Sequence, residues 1–479
     1  MKTLDAGTAG RNVTKPLIHY KNIQEITESY IDGDETPVGV VQHFLERIDS
    51  FDSSYLSYAT VMADQALGQA ETLSRELREG KIRGPLHGIP VAVKDLCYTT
   101  GVRTMGGTAV LEENIPDYDS TVVSRLKAAG AVILGKLNLT EGAMGGYNPK
   151  RDIPKNPWNI DRWAGSSSSG SGVATALGLC TGSLGSDTGG SIRFPSAACG
   201  LVGIKPTYGR VSRFGVLDLA QTLDHVGPMT RDVRDAALIL AAISGFDEND
   251  LTTIPAISPN FDDIENTNLD GVTIGYSENY SEDGVDKEIV KATRNVLKIL
   301  EYHGATVKNI ELDNIDSFLP AWKTICSAEA LNAHSSFYPE RELEYGLWFR
   351  SWLEHGSSVS SQEYIDASRQ RALCNGKLRK SFVGIDAMIS PTVIRPPHYV
   401  DDDISYGPMD DRRGTSFQRF TVPFDYNGYP TVSVPSGLNE DGLPLSIQVS
   451  GSPLTEPMLC RIARTYEKGL ALTNFHPDL

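Results

Sequence analysis

The run from Trp163 to Thr207, WAGSSSSGSGVATALGLCTGSLGSDTGGSIRFPSAACGLVGIKPT, decides how the rest of the chain is read. Four consecutive serines, Ser166 to Ser169, lie between Gly165 and Gly170 and have the composition of a flexible linker. A linker would not be followed at once by Val173-Ala174-Thr175-Ala176-Leu177-Gly178-Leu179, whose small apolar residues suit a tightly packed helix. The run therefore reads as a loop feeding a buried helix. A second cluster, Asp187-Thr188-Gly189-Gly190-Ser191, opens a short helix expected over 192–199, with Pro195 in the first turn, where a missing N–H costs nothing. Ser191 then sits where free backbone N–H groups meet the positive end of a helix dipole. The glycines before it let a ligand atom approach the backbone closely. These are the ingredients of an oxyanion hole around a nucleophile.

In order and spacing the run resembles the amidase signature family, in which a Gly- and Ser-rich loop carries a serine in a cis peptide bond and a later Gly-Gly-Ser carries the nucleophile. The matching serines, Ser167 and Ser191, stand 24 residues apart, as in the family. The first loop departs from the pattern, with serine at Ser166 and Ser169 where glycine is usual. A side chain at Ser166 is expected to restrict the cis bond or to narrow the pocket, and to bear on substrate preference more than on catalysis. The resemblance runs through most of the chain and is densest over 84–230 and 420–470. It implies an α/β amidase signature fold: a large mixed central sheet flanked by helices on both faces, with an inserted helical cap, all in one domain over 1–479.

Cleaving an amide needs a nucleophile, a group that accepts and then returns a proton, and donors for the developing oxyanion. The sequence has no GxSxG elbow, and of its nine histidines only His87 lies near a dense motif, in a turn where a structural role is expected. Lysine is then the better candidate base. Gly84 to Asp95, GPLHGIPVAVKD, begins in turns and runs apolar into Lys94, as a buried strand would. Bringing a lysine from ~10.4 to near neutrality takes roughly 4 kcal/mol, and burial acts in that direction. The resemblance implies a catalytic set of Lys94, Ser167 and Ser191. The N–H groups of Thr188, Gly189, Gly190 and Ser191 are expected to hold the oxyanion, and Asp187 and Arg193 to pair and fix the loop. Met144, Gly145, Gly146 and Tyr147, with Ser166, are expected to touch the substrate.

The flanking segments alternate between strand and helix signals, which argues an α/β sheet. Helix signals run over about 22–52 within a helical lead-in over 1–62. A strand is expected over 56–61, a helix over 63–79, a helix over 120–130 and a buried strand over 131–135. A further helix is expected from Leu139 into the turn at Met144. Later come helices over 231–245 and 286–304, strands over 272–276 and 305–312, strands at 387–390, 431–434 and 445–449, and a last helix over 456–469. The stretch over 313–383 is helical and carries Trp322, Phe337, Tyr338, Tyr345, Trp348, Phe349, Trp352 and Tyr364. It is read as an insertion over the site, with core packing as the role of most of these rings.

Net charge is −17, which disfavours nucleic acid or an acidic membrane surface as partner. The six scattered cysteines form no CxxC, so buried free thiols in a reducing cytoplasm are expected, with no metal and no cofactor. MKTLDAGTAGRNVTK lacks the apolar segment of a secretory signal, and the longest apolar run, Ala236 to Ile243, is far short of the ~20 residues that span a bilayer. A cytoplasmic enzyme is expected, acting on a small amide or carbamate, with a homodimer left open. The resemblance leaves two principal readings. One is a free-standing amidase for hydrophobic aryl or alkyl amides, with urethane or ester cleavage as a side activity. The other is the glutaminase component of the amidotransferase of tRNA-dependent Gln or Asn synthesis, which works in a complex. A non-catalytic scaffold is disfavoured because all three catalytic residue types are kept.

Overall fold

The computed structural model describes residues 17–409, 415–470 and 475–478. The start of the lead-in, 1–16, lies outside the described residues. Among those described, eleven strands build one sheet. In chain order they are β1 (Tyr58–Val61), β2 (Pro90–Lys94), β3 (Val132–Leu137), β4 (Gly182–Asp187), β5 (Val202–Lys205), β6 (His225–Thr230), β7 (Thr273–Tyr276), β8 (Thr306–Asn309), β9 (Ala387–Pro391), β10 (Thr431–Leu438) and β11 (Pro444–Gly451). Their order across the sheet is β1-β3-β2-β4-β6-β5-β10-β11-β9-β7-β8.

The pairing is mixed. β2 runs parallel to both β3 and β4, with Val91 opposite Ile133 on one side and Gly182 on the other. β4 turns antiparallel to β6, and β5, β10, β11 and β9 continue antiparallel before β7 and β8 return to parallel pairing. Every residue of β2, β3 and β4 is buried, as expected for strands covered on both faces. The edge strand β8, by contrast, exposes Thr306, Lys308 and Asn309, a polar rim that discourages edge-to-edge pairing.

Helices flank the sheet, and their ends are written in the sequence. Asn22 and Glu25 form a capping box for Ile23–Ile31, Thr36 caps Pro37–Tyr55 with proline in the first turn, and Asp232 caps Val233–Ile243. Lys287–Tyr302 packs on β9, β10 and β11, and Glu456–Leu470 on β10 and β11. The inserted stretch forms Pro320–Ala333, Leu347–Ser358 and Ser361–Ser381, the last opened by a Ser360/Glu363 capping box.

Two expectations are corrected. No helix follows Leu139: a single 3-10 turn, Glu141–Ala143, stands there, because Asn138 turns its side-chain amide to the Leu56 and Tyr58 carbonyls and Gly142 takes a positive φ of 58°. The helix in the serine run begins earlier than its apolar residues suggest, at Ser169, and stops at Ala176. The chain from Gly182 to Asp187 is a central strand, although GSLGSD carries only one large apolar residue. Small residues are required there, since a Cβ on Gly185 would lie 2.9 Å from Ser168 Oγ. β5 and β6 also lie in stretches without a clear strand signal.

Candidate active site

Lys94 ends β2 with its side chain fully buried. Its Nζ donates to Ser167 Oγ at 2.7 Å and to Ser186 Oγ at 2.9 Å. Lys136, one strand over on β3, is equally buried but is met by Asp95 at 3.2 Å and by Thr104 Oγ1 at 2.6 Å. Lys94 has no such carboxylate within ion-pair distance among the described residues. Burial therefore dominates and pushes its ammonium down to about 7, against a weak opposing pull from Cys97, Asp187 and Asp224. The lysine rests between hydroxyls and titrates near neutrality.

Ser167 follows a cis peptide bond from Ser166 and is itself buried. The loop around it is held on several sides. The Ser167 carbonyl accepts the Thr140 N–H at 3.2 Å, Ser168 Oγ donates to the Ser186 carbonyl at 3.2 Å, and the Ser168 N–H donates to the Ser191 carbonyl at 3.3 Å. This last bond ties the serine loop to the backbone of Ser191 through Ser168, one residue from the Ser167 that Lys94 holds.

The Ser191 loop is shaped by Asp187. Its carboxylate accepts the N–H of Gly190 at 2.6 Å and of Ile192 at 3.0 Å, and Arg193 Nη2 at 2.8 Å. Burial alone would raise this carboxyl, but the Arg193 guanidinium overrides burial and holds it well below the usual carboxylate range. Arg193 also reaches Asp425 Oδ2 at 2.8 Å and the Thr421 carbonyl at 3.0 Å, and so fastens the loop to the C-terminal segment. One expected oxyanion donor is removed by this geometry: the Gly190 N–H is taken by Asp187. Gly189 and Ser191 line the adjoining cavity, and their N–H groups meet no acceptor among the described residues. Thr188 lines it too, with its hydroxyl on Asp224 at 2.6 Å.

That cavity has a volume of about 520 Å³. Half-buried Ser191 opens into it, as do Ser166 and the turn Met144, Gly145, Gly146 and Tyr147. Its walls are largely apolar and include two aromatic clusters, Trp163, Phe194 and Phe417, and Trp322, Trp348 and Trp352 from the inserted helices, while Lys155, Arg162, Lys323 and Asp403 add charge. Phe194 and Phe417 lie 4.7 Å apart, Trp322 and Trp352 5.7 Å, and Trp348 and Trp352 5.8 Å. Arg162 also lines the space, but its guanidinium covers Tyr399 at 3.6 Å and donates to the Pro397 carbonyl at 3.3 Å. His87 bonds the Leu73 carbonyl at 3.0 Å, a structural arrangement.

The Amidase family model matches residues 39–460, a span that holds Lys94, Ser167 and Ser191 together. The chain belongs to the amidase signature family. AmiD of Mycobacterium tuberculosis (strain ATCC 25618 / H37Rv), a protein provisionally named an amidase, is 38% identical over 92% of this chain and 92% of its own. The A subunit of the glutamyl-tRNA(Gln) amidotransferase of Syntrophus aciditrophicus is 34% identical over 96% of this chain and 100% of its own. The native peptide amidase of Stenotrophomonas maltophilia superposes with a TM-score of 0.82 at 28% identity, covering 94% of this chain and 96% of that one. The chain is thus an amidase signature family hydrolase acting on amides. No helix among its described residues is long and apolar enough to cross a membrane. Its six cysteines are free and buried.

Several residues that shape the amidase site went unmarked in the sequence. Ser186, the second partner of Lys94, sits in β4, a strand for which the sequence shows no signal. Asp425 and Thr421 lie more than 200 positions from the loop they brace. Trp322 was visible only as one aromatic among eight.

Proposed function

We propose that the protein is a serine amidohydrolase for hydrophobic aryl or alkyl amides, working through an acyl-enzyme on Ser191. The observation that carries this reading is the buried Lys94–Ser167 contact of 2.7 Å beside a Ser191 that opens into an aromatic cavity. With Lys94 neutral, the contact reverses its polarity and the Ser167 hydroxyl donates to Nζ. Ser191 Oγ attacks the carbonyl carbon and its proton passes to Ser167 as the Ser167 proton passes to Lys94. The oxyanion is held by the N–H groups of Gly189 and Ser191, with Thr188 at the edge of the same turn. When the C–N bond breaks, the proton returns through Ser167 to the leaving amine. Water then repeats the sequence on the ester, releasing the acid and restoring Ser191.

The cavity wall supports an apolar acyl or amine group over glutamine. Esters reach the same acyl-enzyme, and carbamates an alkoxycarbonyl or carbamoyl counterpart on Ser191, so urethanase and esterase side activities belong to the proposal. The inserted helices over 313–383 act as the cap that shapes this pocket, within one domain. The buried free thiols favour a cytoplasmic location, and a homodimer is the assembly to check by light scattering. The second reading, a glutaminase that works in an amidotransferase complex, draws support from the 34% identity to the Syntrophus aciditrophicus protein. Against it, Arg162, one of the cations lining the cavity with Lys155 and Lys323, is already engaged by Tyr399 and the Pro397 carbonyl.

The test is an assay of aryl amides, aliphatic amides, carbamates, esters and glutamine, with Ser191→Ala and Lys94→Ala as controls. Turnover of a hydrophobic amide, lost in both variants, is expected. Activity on glutamine alone would move the assignment to the amidotransferase reading.

A further inference from the structure

The loop Thr188–Ser191 has all four of its carbonyls occupied, and by different parts of the chain. Trp322 Nε1 donates to the Thr188 carbonyl at 2.9 Å, and Thr421 Oγ1 donates to the Gly189 carbonyl at 2.7 Å. The Phe194 N–H donates to the Gly190 carbonyl at 2.6 Å and the Ser168 N–H to the Ser191 carbonyl at 3.3 Å. In a trans peptide the carbonyl of one residue and the N–H of the next lie in one plane and point to opposite sides. Fixing a carbonyl therefore aims the following N–H. Thr421 aims the Gly190 N–H, which is the one taken by Asp187. Phe194 aims the Ser191 N–H from within the helix that follows. The Gly189 N–H is aimed only through the Thr188 carbonyl, and so by the indole of Trp322.

The contact is close as well as polar. A Cβ on Gly189 would lie 2.6 Å from Trp322 Cζ2, so the ring rests directly against the peptide whose orientation it sets. Trp322 is buried, and its indole N–H is fully committed to this one acceptor. The residue comes from the inserted helix Pro320–Ala333, outside the loops that carry Lys94, Ser167 and Ser191. On its far side Trp322 meets Trp352, which meets Trp348, which lies over Gly145 and Gly146. A run of three indoles thus joins the substrate-facing turn to the oxyanion loop.

We propose that Trp322 is a positioning residue that holds the Gly189 N–H toward the oxyanion through its hydrogen bond to the Thr188 carbonyl. The proposal rests on the reading of Ser191 as nucleophile. Trp322 does not touch the reacting carbonyl. It acts through the peptide plane, so its hydrogen bond matters in the transition state and little in the ground state. The inserted helices then do more than bound the cavity: they complete the geometry of the hole.

The experiment compares the wild type with Trp322→Phe and with Trp322→3-benzothienylalanine, which keeps the bicyclic ring and replaces Nε1–H by sulfur. Each is assayed on the best aryl amide and titrated with phenylboronic acid, which forms a tetrahedral adduct on a reactive serine. Both variants are expected to lose about tenfold or more in kcat with KM within about twofold. Inhibition by phenylboronic acid is expected to weaken in the same proportion. The benzothienyl variant keeps the packing and decides the matter should Trp322→Phe fold poorly. Unchanged kcat in that variant, or a rise in KM alone with phenylboronic acid unaffected, would overturn the proposal. Ser191→Ala in the same assay separates the two levels: retained activity there would sink the nucleophile assignment whatever Trp322 does.

Discussion

Arg193 Nη2 stands 2.8 Å from Asp187 Oδ1 and 2.8 Å from Asp425 Oδ2, with all three side chains fully buried. One cation thus meets two acidic side chains out of reach of water: it holds Asp187 in the Ser191 loop ionised, while burial and the neighbouring Asp187 push the Asp425 carboxyl up. Removing a single member of a buried ion group is far more damaging than its net contribution suggests, because the remaining charges lose their compensation. Arg193→Met should therefore cost about 3–5 kcal/mol in unfolding free energy and lower kcat as the loop loosens. Chemical denaturation alongside kcat on one substrate checks this. Asp425→Asn, which leaves Asp187 and Arg193 paired, should cost distinctly less.

The titration of Lys94 gives an activity prediction with a definite sign. The neutral amine is the acceptor, and burial brings its protonation to about 7, so kcat/KM should rise with pH along a limb centred near 7 and then level off. Ser186→Ala removes one acceptor from the ammonium and should move that limb to lower pH, with kcat kept within about tenfold. Ser167→Ala should cost about 10²–10⁴ in kcat, because the proton path itself is cut. A pH profile of all three proteins distinguishes these effects.

Stability should carry the same signature. The Lys94 protonation midpoint is depressed in the folded state, so the unfolded chain binds the extra proton between about 7 and ~10.4. Folding bears the full cost of the buried cation below about 7, and the cost is released as pH rises through that window. Lys94→Met never bears it. The stability advantage of Lys94→Met over the wild type should be largest near pH 6 and shrink toward pH 9, as urea unfolding at several pH values would read out.

The aromatic wall can be tested at Gly146, which has a φ of +66° and would place a Cβ 2.5 Å from Trp348 Cβ. Gly146→Ala strains the backbone by about 1–2 kcal/mol and displaces the indole. KM for bulky aryl amides should rise several-fold while kcat for a short aliphatic amide changes little. Steady-state kinetics on the two substrate classes would show the split.

Legibility in the sequence followed the range of the interactions. Lys94 could be read because a lysine ending the apolar run Val91-Ala92-Val93 has to enter the interior, Ser191 because glycines precede it at a helix start, and Ser167 through the resemblance of its loop to the amidase signature. β4 could not, since its small residues are demanded by Ser168 packing on Gly185, a contact invisible before the loop is folded. The fate of the Gly190 N–H depends on where the Asp187 carboxylate turns. Thr421, Asp425 and Trp322 act across more than 100 positions, and no periodicity records a partner that distant.

The central claim is that the acyl group is carried on Ser191. The direct measurement is to mix the protein with a slowly hydrolysed aryl carbamate, quench, and locate the mass increment by peptide mapping. One carbamoyl group is predicted on the peptide containing Ser191, absent in Ser191→Ala and formed far more slowly in Lys94→Ala. An adduct on Ser167 instead, or full amide turnover by Ser191→Ala, would contradict the claim.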